Sequence, residues 1–191
     1  EVVAKKAGYD VAEERKANPR THELPFDSDR KMMTVMIKPT ANYRFNTYTK
    51  GAPNCVVEKC SHYMIDGQIK PLTKEIKDEI MKANDGFAER GLRVLAVAGR
   101  ILPDDLQQDL SKTNSANTET DMTFLGLSVM LDPPRPEVRK AAAECHRAHI
   151  KIIMVTGDYS LTAKSIAQNI GLVDPNKPLT VVSGDELKEM D

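Results

Sequence analysis

The chain has 191 residues, of which 40% are hydrophobic and 29% charged, a balance that predicts one sizeable globular domain or two small ones. A formal net charge of −1 predicts no attraction to nucleic acid or to an anionic membrane surface. The longest nearly apolar run, residues 122–131, is far shorter than the about 20 residues of a membrane helix, and three cysteines without framework spacing favour a reducing compartment.

The first part of the chain is predicted to change from helices to strands. Residues 1–7 are typical of a helix end that is closed by a following glycine. A second short helix is predicted over residues 11–17, where an Asn-Pro pair stops it. Two strands are then predicted at residues 31–37 and 43–49, joined by a turn at residues 39–42.

Strands and helices continue through the middle of the chain. Asp66-Gly67 lies between two short apolar runs and predicts a hairpin. Residues 73–90 predict an amphipathic helix because their apolar side chains recur at helical spacing, and residues 92–101 predict another strand. The polar residues 103–121 predict a surface loop. Strands with helices laid against them favour an α+β arrangement for this portion.

The last third of the sequence alternates in a different way. A strand is predicted at residues 124–131, and a helix begins with Pro136 in its first turn. Residues 151–155 form an unbroken apolar run typical of a strand buried on both faces. A helix over residues 163–170 and a strand at residues 179–182 follow, and a capping box opens a final helix. This order predicts part of a parallel, doubly wound sheet.

The run after the predicted strand at 151–155 is the first candidate site. Thr156, Gly157 and Asp158 follow the strand and precede a helix. Open α/β sheets bind ligands beyond the carboxyl ends of parallel strands, and a helix N-terminus attracts phosphate. A hydroxyl, a permissive glycine and a carboxylate could therefore contact a phosphorylated ligand. Alternatively, Asp158 merely caps the helix and the Thr-Gly pair merely turns the chain.

Two further segments could contact a nucleotide. Lys50 and Gly51 end a predicted strand, where a lysine can reach a phosphate as a point charge. Phe26 is flanked by Arg30 and Lys31, so the ring could stack on a base while the cations contact phosphates. The alternatives are a solvated lysine before a helix and a core phenylalanine among surface charges.

Arg93 lies within an otherwise apolar predicted strand and shares one face of it with Leu95. An arginine in such a place requires a partner, for which a phosphate is one candidate. The clusters of cysteine and histidine at residues 55–62 and 145–149 lack the usual spacing of zinc ligands, and we expect core cysteines and solvated histidines there. The sequence contains neither a Walker A motif nor a G-x-G-x-x-G fingerprint.

Five phrases in this order resemble the P-type ATPases, the cation pumps that form an aspartyl-phosphate. They are ELPFDSDRKMMTV, YTKGAPNCVVEKCSHY, RGLRVLAVA, MTFLGLSVMLDPPRPEV and KIIMVTGDYSLTAKSIAQNIG, and they cover most of residues 23–171. The resemblance implies a nucleotide-binding domain over residues 1–129, built on an antiparallel sheet flanked by helices. It implies that residues 130–191 are a partial phosphorylation domain, an incomplete parallel Rossmann-like segment of the haloacid-dehalogenase type.

The same resemblance implies a role for each matching residue. Phe26 is similar to the ring that stacks on adenine, and Leu95 to a side chain that lines the pocket. The residues that resemble the contacts to phosphate and nucleotide are Lys31, Lys50, Gly51 and Arg93, followed by Thr156, Gly157 and Asp158 of the TGD motif. Asp132, Pro133, Pro134 and Arg135 resemble the hinge between domains.

The sequence departs from the family pattern in two motifs. It contains no DKTGT, whose aspartate accepts the phosphoryl group, and no GDGxNDxPAL, whose carboxylates hold Mg²⁺. Covalent catalysis needs its nucleophile and phosphoryl transfer its metal. We therefore expect the chain to bind ATP without hydrolysing it.

The wider context is also implied by the resemblance. The start at Glu1, without an initiator methionine, predicts a segment of a longer protein. Its partners would be ATP and the rest of the pump, and its cofactor would be Mg²⁺. The segment would lie on the cytoplasmic side of a membrane and is expected to be monomeric. The pattern is similar to the Ca²⁺, Na⁺/K⁺ and H⁺/K⁺ branch, with Ca²⁺ preferred. A soluble haloacid-dehalogenase-type hydrolase and a stand-alone nucleotide-binding module are the alternatives.

Overall fold

The computed structural model describes residues 2–38, 44–173 and 179–189. The chain divides into two compact units. Unit 1 comprises residues 1–78 and 95–128, and unit 2 comprises residues 79–94 and 129–191. No helix in the described part of the chain is both long and apolar enough to cross a membrane.

A seven-stranded open sheet in the order β1-β2-β3-β6-β7-β4-β5 forms the centre of unit 1. The strands are β1 Arg20–Asp27, β2 Met32–Ile37, β3 Thr47–Gly51, β4 Cys60–Ile65, β5 Gln68–Pro71, β6 Arg93–Arg100 and β7 Met122–Met130. The pairs β1–β2, β2–β3, β3–β6 and β4–β5 are antiparallel, whereas β4 and β7 pair in parallel. The edge strands are therefore β1, which contains Pro25, and β5, which ends at Pro71.

Helices flank and connect these strands. They are α1 Val2–Lys6, α2 Val11–Ala17, α3 Pro53–Glu58, α4 Lys74–Ala88, α5 Asp104–Gln108, α6 Ser115–Thr118, α7 Val138–Arg147, α8 Ser160–Asn169 and α9 Gly184–Lys188. The prediction of an α/β fold with a largely antiparallel sheet flanked by helices is confirmed.

Local signals place several elements as the sequence predicts. The Asp10 carboxylate caps α2 by accepting hydrogen bonds from the backbone N–H groups of Ala12 and Glu13. The β4–β5 hairpin turns at Asp66 and Gly67, which have φ angles of 50° and 74°, and α9 begins with the predicted capping box at Ser183. These elements follow from contacts within a few residues of sequence.

The two faces of the sheet differ in exposure. In β2, Met32, Thr34 and Met36 are buried, whereas the alternate residues are only half-buried. The buried face includes a small cluster in which Met36 packs with Leu102 and Leu106. The other face is more open, so that side chains on it remain available to solvent or to a ligand.

Two segments of unit 1 differ from the sequence-based predictions. Strand β1 has no alternating apolar pattern, because it is a mostly exposed edge strand whose order comes from pairing with β2. Residues 103–121 are not only a surface loop, since they form α5, α6 and a 3-10 turn, and Thr118 and Glu119 are buried. The predicted turn at residues 39–42 lies outside the described residues.

Two of the three strands predicted for the last third, at residues 151–155 and 179–182, are not formed. Residues 151–155 and the described residues 179–182 have no regular strand structure, and Val155 is 91% exposed. The predicted strand at 124–131 does form, as β7, but its two edges are occupied by β6 and β4. Residues 151–155 do not join this sheet, so the buried strand predicted there is not formed.

Candidate functional site

The turn between β1 and β2 presents two of the predicted site residues to solvent. The Asp27 carboxylate accepts hydrogen bonds of 2.9 Å from the backbone N–H groups of Asp29 and Arg30. The backbone N–H of Lys31 donates to the Asp27 carbonyl at 2.8 Å, and Lys31 takes a φ of 55°. Donation from the Arg30 N–H lowers the pKa of Asp27 below its usual value. Phe26 is 64% exposed, so it is not a core side chain.

Gly51 allows the end of β3 to approach the start of β2 closely. A Cβ at Gly51 would lie 2.5 Å from the Lys31 carbonyl oxygen and 2.5 Å from the Met32 Cβ. The backbone N–H of Ala52 donates to the same Lys31 carbonyl at 2.9 Å. Only a residue without a side chain fits here, and the fit brings the backbones at Lys50 and Lys31 to one end of the sheet.

The open face of the sheet continues from this end. Lys50 is the register partner of Met33 on β2 and of Val97 on β6. Leu95 lies two residues from Val97 on β6 and therefore on the same face. Lys50 is exposed, and the other three side chains are half-buried. This face offers an apolar floor with a cation beside it, which suits a ligand that has both a flat apolar part and a negative charge.

A polar network lies on the opposite, buried face of these strands. Glu119 is 3% exposed and accepts hydrogen bonds from the Arg30 guanidinium and, at 2.8 Å, from the Thr34 hydroxyl. Thr34 also shares a 2.7 Å hydrogen bond with Thr49. Sequence reasoning considered Arg30 a phosphate contact and did not identify Glu119. The sequence carries no signal for it, because one glutamate in a polar run resembles any solvated carboxylate.

A cleft of about 680 Å³ adjoins this network. Arg30, Glu119 and the buried Met32 are among the residues that line it. Its described lining includes neither Phe26 nor Lys50, so the cleft is separate from the open face described above.

In unit 2, Arg93 is bound by two carboxylates. Its Nη2 lies 2.8 Å from Asp158 Oδ1, and its Nη1 lies 3.4 Å from Asp132 Oδ2. The Thr156 hydroxyl oxygen accepts a 3.0 Å hydrogen bond from the Asp158 N–H, and Gly157 has open space around it. The structure thus brings together Arg93, two residues of the predicted TGD motif and the first residue of the predicted hinge.

The predicted hinge residues lie between β7 and α7. Asp132, Pro133, Pro134 and Arg135 are all exposed and belong to no helix or strand. Since a proline restricts both itself and the residue before it, this connector has few accessible backbone conformations.

Among the described residues, no group of three or more His, Cys, Asp and Glu side chains is placed to hold a metal ion. The three cysteines are free thiols. Burial raises the pKa of the Cys60 thiol to about 12, whereas Cys55 and Cys145 are half-buried. Cys60 is therefore a core side chain, as the sequence predicts.

Comparison with known proteins gives one consistent result. Residues 1–137 match the family described as P-type ATPase, cytoplasmic domain N. The chain is 35% identical over 190 residues to calcium-transporting ATPase 1 of Lactococcus lactis, an alignment that covers 96% of this chain and 21% of that protein. A calcium-transporting ATPase of Listeria monocytogenes is 36% identical over 97% of the chain and 20% of its own length.

A relative named for transport of a different ion is similar to the chain to a comparable degree. Potassium-transporting ATPase alpha chain 2 of the rat is 39% identical over 172 residues, which are 87% of this chain and 17% of that protein. The chain thus spans about a fifth of the length of the relatives it matches.

Proposed function

Since this chain belongs to the P-type ATPases, we propose that it binds ATP and supplies the nucleotide-binding part of a pump that moves a cation across a membrane. The pump would form an aspartyl-phosphate from ATP and couple its formation and hydrolysis to transport. This chain would act on the cytoplasmic side, with the membrane, actuator and remaining phosphorylation segments of the same pump as its partners.

The observation that carries the proposal is the end of the sheet where β1, β2 and β3 meet. Phe26 and Lys31 are exposed on either side of one turn, and Gly51 lets Lys50 come next to that turn. An exposed ring, two ammonium groups and the half-buried Leu95 are the chemistry that a base and a phosphate chain require.

Each residue has a separate part in the proposed binding. Phe26 stacks on the adenine, and Leu95 packs against the base or the sugar. Lys31 and Lys50 offset phosphate charge, and Gly51 leaves room for the approach. One stacked ring and a few exposed cations correspond to roughly 4–6 kcal/mol, which gives a dissociation constant from high micromolar to millimolar.

Unit 2 would contact the transferred phosphoryl group. In the proposal, Thr156 and the Gly157 N–H stabilise the charge that develops on that group, while Asp158 contacts nucleotide. Arg93 reaches the phosphates once they replace its two carboxylate partners, since its pairs are partly exposed and weak. The exposed connector from Asp132 to Arg135 would serve as the hinge.

Turnover is not proposed for this chain. The 191 residues include no DKTGT motif, and therefore not the aspartate that would form the covalent intermediate. The described residues also do not fit a magnesium site of their own, because Asp132 and Asp158 are both engaged by Arg93. We therefore assign Mg²⁺ to the whole pump, where it would arrive with the ATP phosphates.

Ca²⁺ is the transported ion that we propose. Several relatives, including those of Lactococcus lactis and Listeria monocytogenes, are named as calcium-transporting. The potassium-transporting relative from rat also matches most of the chain, 87% of it. The ion preference would therefore lie in parts of the pump other than this nucleotide-binding segment.

The proposal is tested by titrating the 191-residue chain with ATP while its amide chemical shifts are followed. We expect saturable shifts around Phe26, Lys50 and Leu95, and Phe26→Ala weakens binding about tenfold, which corresponds to about 1.4 kcal/mol. Tyr9→Ala is the matched control. Tyr9 is a similarly exposed ring (60%) that lies in the connection between α1 and α2, outside the proposed site. Saturable binding that is insensitive to Phe26→Ala, or the absence of saturable shifts, would overturn the proposed site.

A further inference from the structure

Glu119 is a buried carboxylate that lies outside the proposed nucleotide site. It follows α6 and precedes β7, and only 3% of it is exposed. A buried charge costs several kilocalories per mole of desolvation unless partners satisfy it. Here the partners are the Arg30 guanidinium, which reaches both carboxylate oxygens, and the Thr34 hydroxyl.

Arg30 connects this anchor to the turn that carries Phe26 and Lys31. While Nη1 binds Glu119, Nη2 donates to the Pro25 carbonyl oxygen at 2.7 Å. Pro25 precedes Phe26, and Arg30 precedes Lys31, so the guanidinium holds the backbone on both sides of the exposed turn. The Arg30 Nε also lies 4.0 Å from Asp27 Oδ1, a longer and more exposed contact. If Arg30 lost Glu119, its buried partner would be gone and the turn could take other conformations.

The Thr34 branch of the network reaches the third strand of the site. The hydroxyl groups of Thr34 and Thr49 share a 2.7 Å hydrogen bond between β2 and β3, and both side chains are buried. Thr49 precedes Lys50 in the chain. Glu119 is therefore linked through Arg30 to β1, which carries Phe26, and through Thr34 to β2, which follows Lys31, and to β3, which carries Lys50.

We propose that Glu119 is a positioning residue for ATP binding: from the buried face of the sheet, it fixes the turn beside which Phe26 and Lys31 are exposed to solvent. The inference rests on the proposed function and extends it to a residue that would not touch the nucleotide. Binding sites gain affinity when the groups that contact the ligand are held in place beforehand. Phe26 is exposed and Lys31 is a long flexible side chain, so few contacts of their own hold them in place. Their positions therefore depend on the turn, which Arg30 and Glu119 hold from the buried face of the sheet.

The first test compares ATP affinity in Glu119→Gln with that in Asn46→Ala. Glutamine keeps the shape of Glu119 and a bond to Thr34, but it loses the charge that holds Arg30. If the loss leaves about a tenth of the molecules with the turn in place, ATP affinity falls about tenfold. Asn46 is a matched control, because its buried side chain accepts a hydrogen bond from Leu102 N–H just before β3, at the end opposite to Gly51.

Affinity is measured where circular dichroism and urea curves show every variant to be folded. We expect Asn46→Ala to lower the urea midpoint and leave ATP affinity unchanged. Equal ATP affinity in Glu119→Gln and the unchanged chain would mean that Glu119 serves stability alone, which would overturn the inference. If Glu119→Gln does not fold, Arg30→Lys replaces it. The lysine retains a charge for Glu119 but cannot also hold the Pro25 carbonyl, and we again expect weaker ATP binding.

A second measurement separates this inference from the proposed function. In a Phe26→Ala background, Glu119→Gln should weaken ATP binding clearly less than it does in the unchanged chain, because one of the two side chains it positions is gone. Fully additive effects would overturn the positioning role. If the unchanged chain binds ATP and Phe26→Ala weakens it but Glu119→Gln does not, only this inference fails. If Phe26→Ala has no effect either, the proposed function fails first.

Discussion

Residues 32–37 and 151–155 are both short apolar runs, but only the first forms a strand with buried side chains. The first is strand β2, in which Met32 and Met36 are 3% and 1% exposed. The second has no strand structure, and Ile153 and Val155 are 72% and 91% exposed. The difference lies in their neighbours, since β2 pairs with β1 and β3 on its two edges.

An apolar run therefore gives a segment the capacity to be a buried strand, and its neighbours decide the outcome. Antiparallel partners such as β1 and β2 are joined by a short turn, so β2 finds its first partner locally. A parallel strand needs partners that are distant in sequence. Among the described residues, 151–155 has none, and its apolar side chains remain exposed to solvent.

The largest expected difference between the two runs is in the stability lost when one side chain of each is truncated. Met36→Ala should lower the free energy of unfolding of unit 1 by about 2–5 kcal/mol, because it removes a fully buried side chain from the core. Ile153→Ala should change stability by no more than about 0.5 kcal/mol, because Ile153 is mostly exposed. Urea unfolding, followed through amide signals of each unit, measures both changes. Similar losses would contradict the contrast.

A glycine in each unit gives a second, smaller contrast. Gly51→Ala should destabilise unit 1 by about 1–3 kcal/mol, because the new Cβ would overlap the backbone of Lys31 and the side chain of Met32. Gly86→Ala is its control in α4, where nothing lies within 4 Å of the added Cβ. That change should stabilise the helix by about 0.5–1 kcal/mol. Thermal unfolding of the two variants should thus shift in opposite directions.

The smallest expected effect concerns thiol chemistry. Burial raises the pKa of Cys60 from 9.0 to about 12, so its thiol stays protonated in the folded chain at pH 8. A thiol reagent at that pH should label Cys55 and Cys145 but not Cys60 until the chain unfolds. Because the folded state disfavours the Cys60 thiolate, its contribution to stability is complete below pH 9.0 and is lost as the pH rises toward about 12. Labelling of all three thiols in folded protein would contradict the core placement.

Sequence reasoning succeeded where short-range chemistry decides the structure. Caps, glycine ends and helical spacing predicted α2 with its observed bounds, and the Asp-Gly pair predicted the β4–β5 turn. It missed β1, because an exposed edge strand with a proline carries no alternation. It also placed strands at residues 151–155 and 179–182, where pairing across long sequence separations, rather than composition, is decisive.

The candidate site divides in the same way. Phe26, Lys31 and Lys50 were predicted from their residue types, and the structure shows all three exposed at one end of the sheet. Their contact with nucleotide stays a prediction. Glu119 could not be found in sequence, because its importance lies in a pairing with Arg30 across 89 residues of chain.

The two prolines at the edges of the sheet bear on how the molecule behaves in a crowded solution. An open sheet presents unpaired backbone groups along its outer strands, and these can recruit strands of other molecules into aggregates. Proline offers no N–H for such pairing. Pro25 in β1 and Pro71 in β5, the latter next to the charged Lys70, interrupt both outer edges. The sheet can thus leave the end that carries Phe26 and Lys50 exposed without becoming a template for edge-to-edge association.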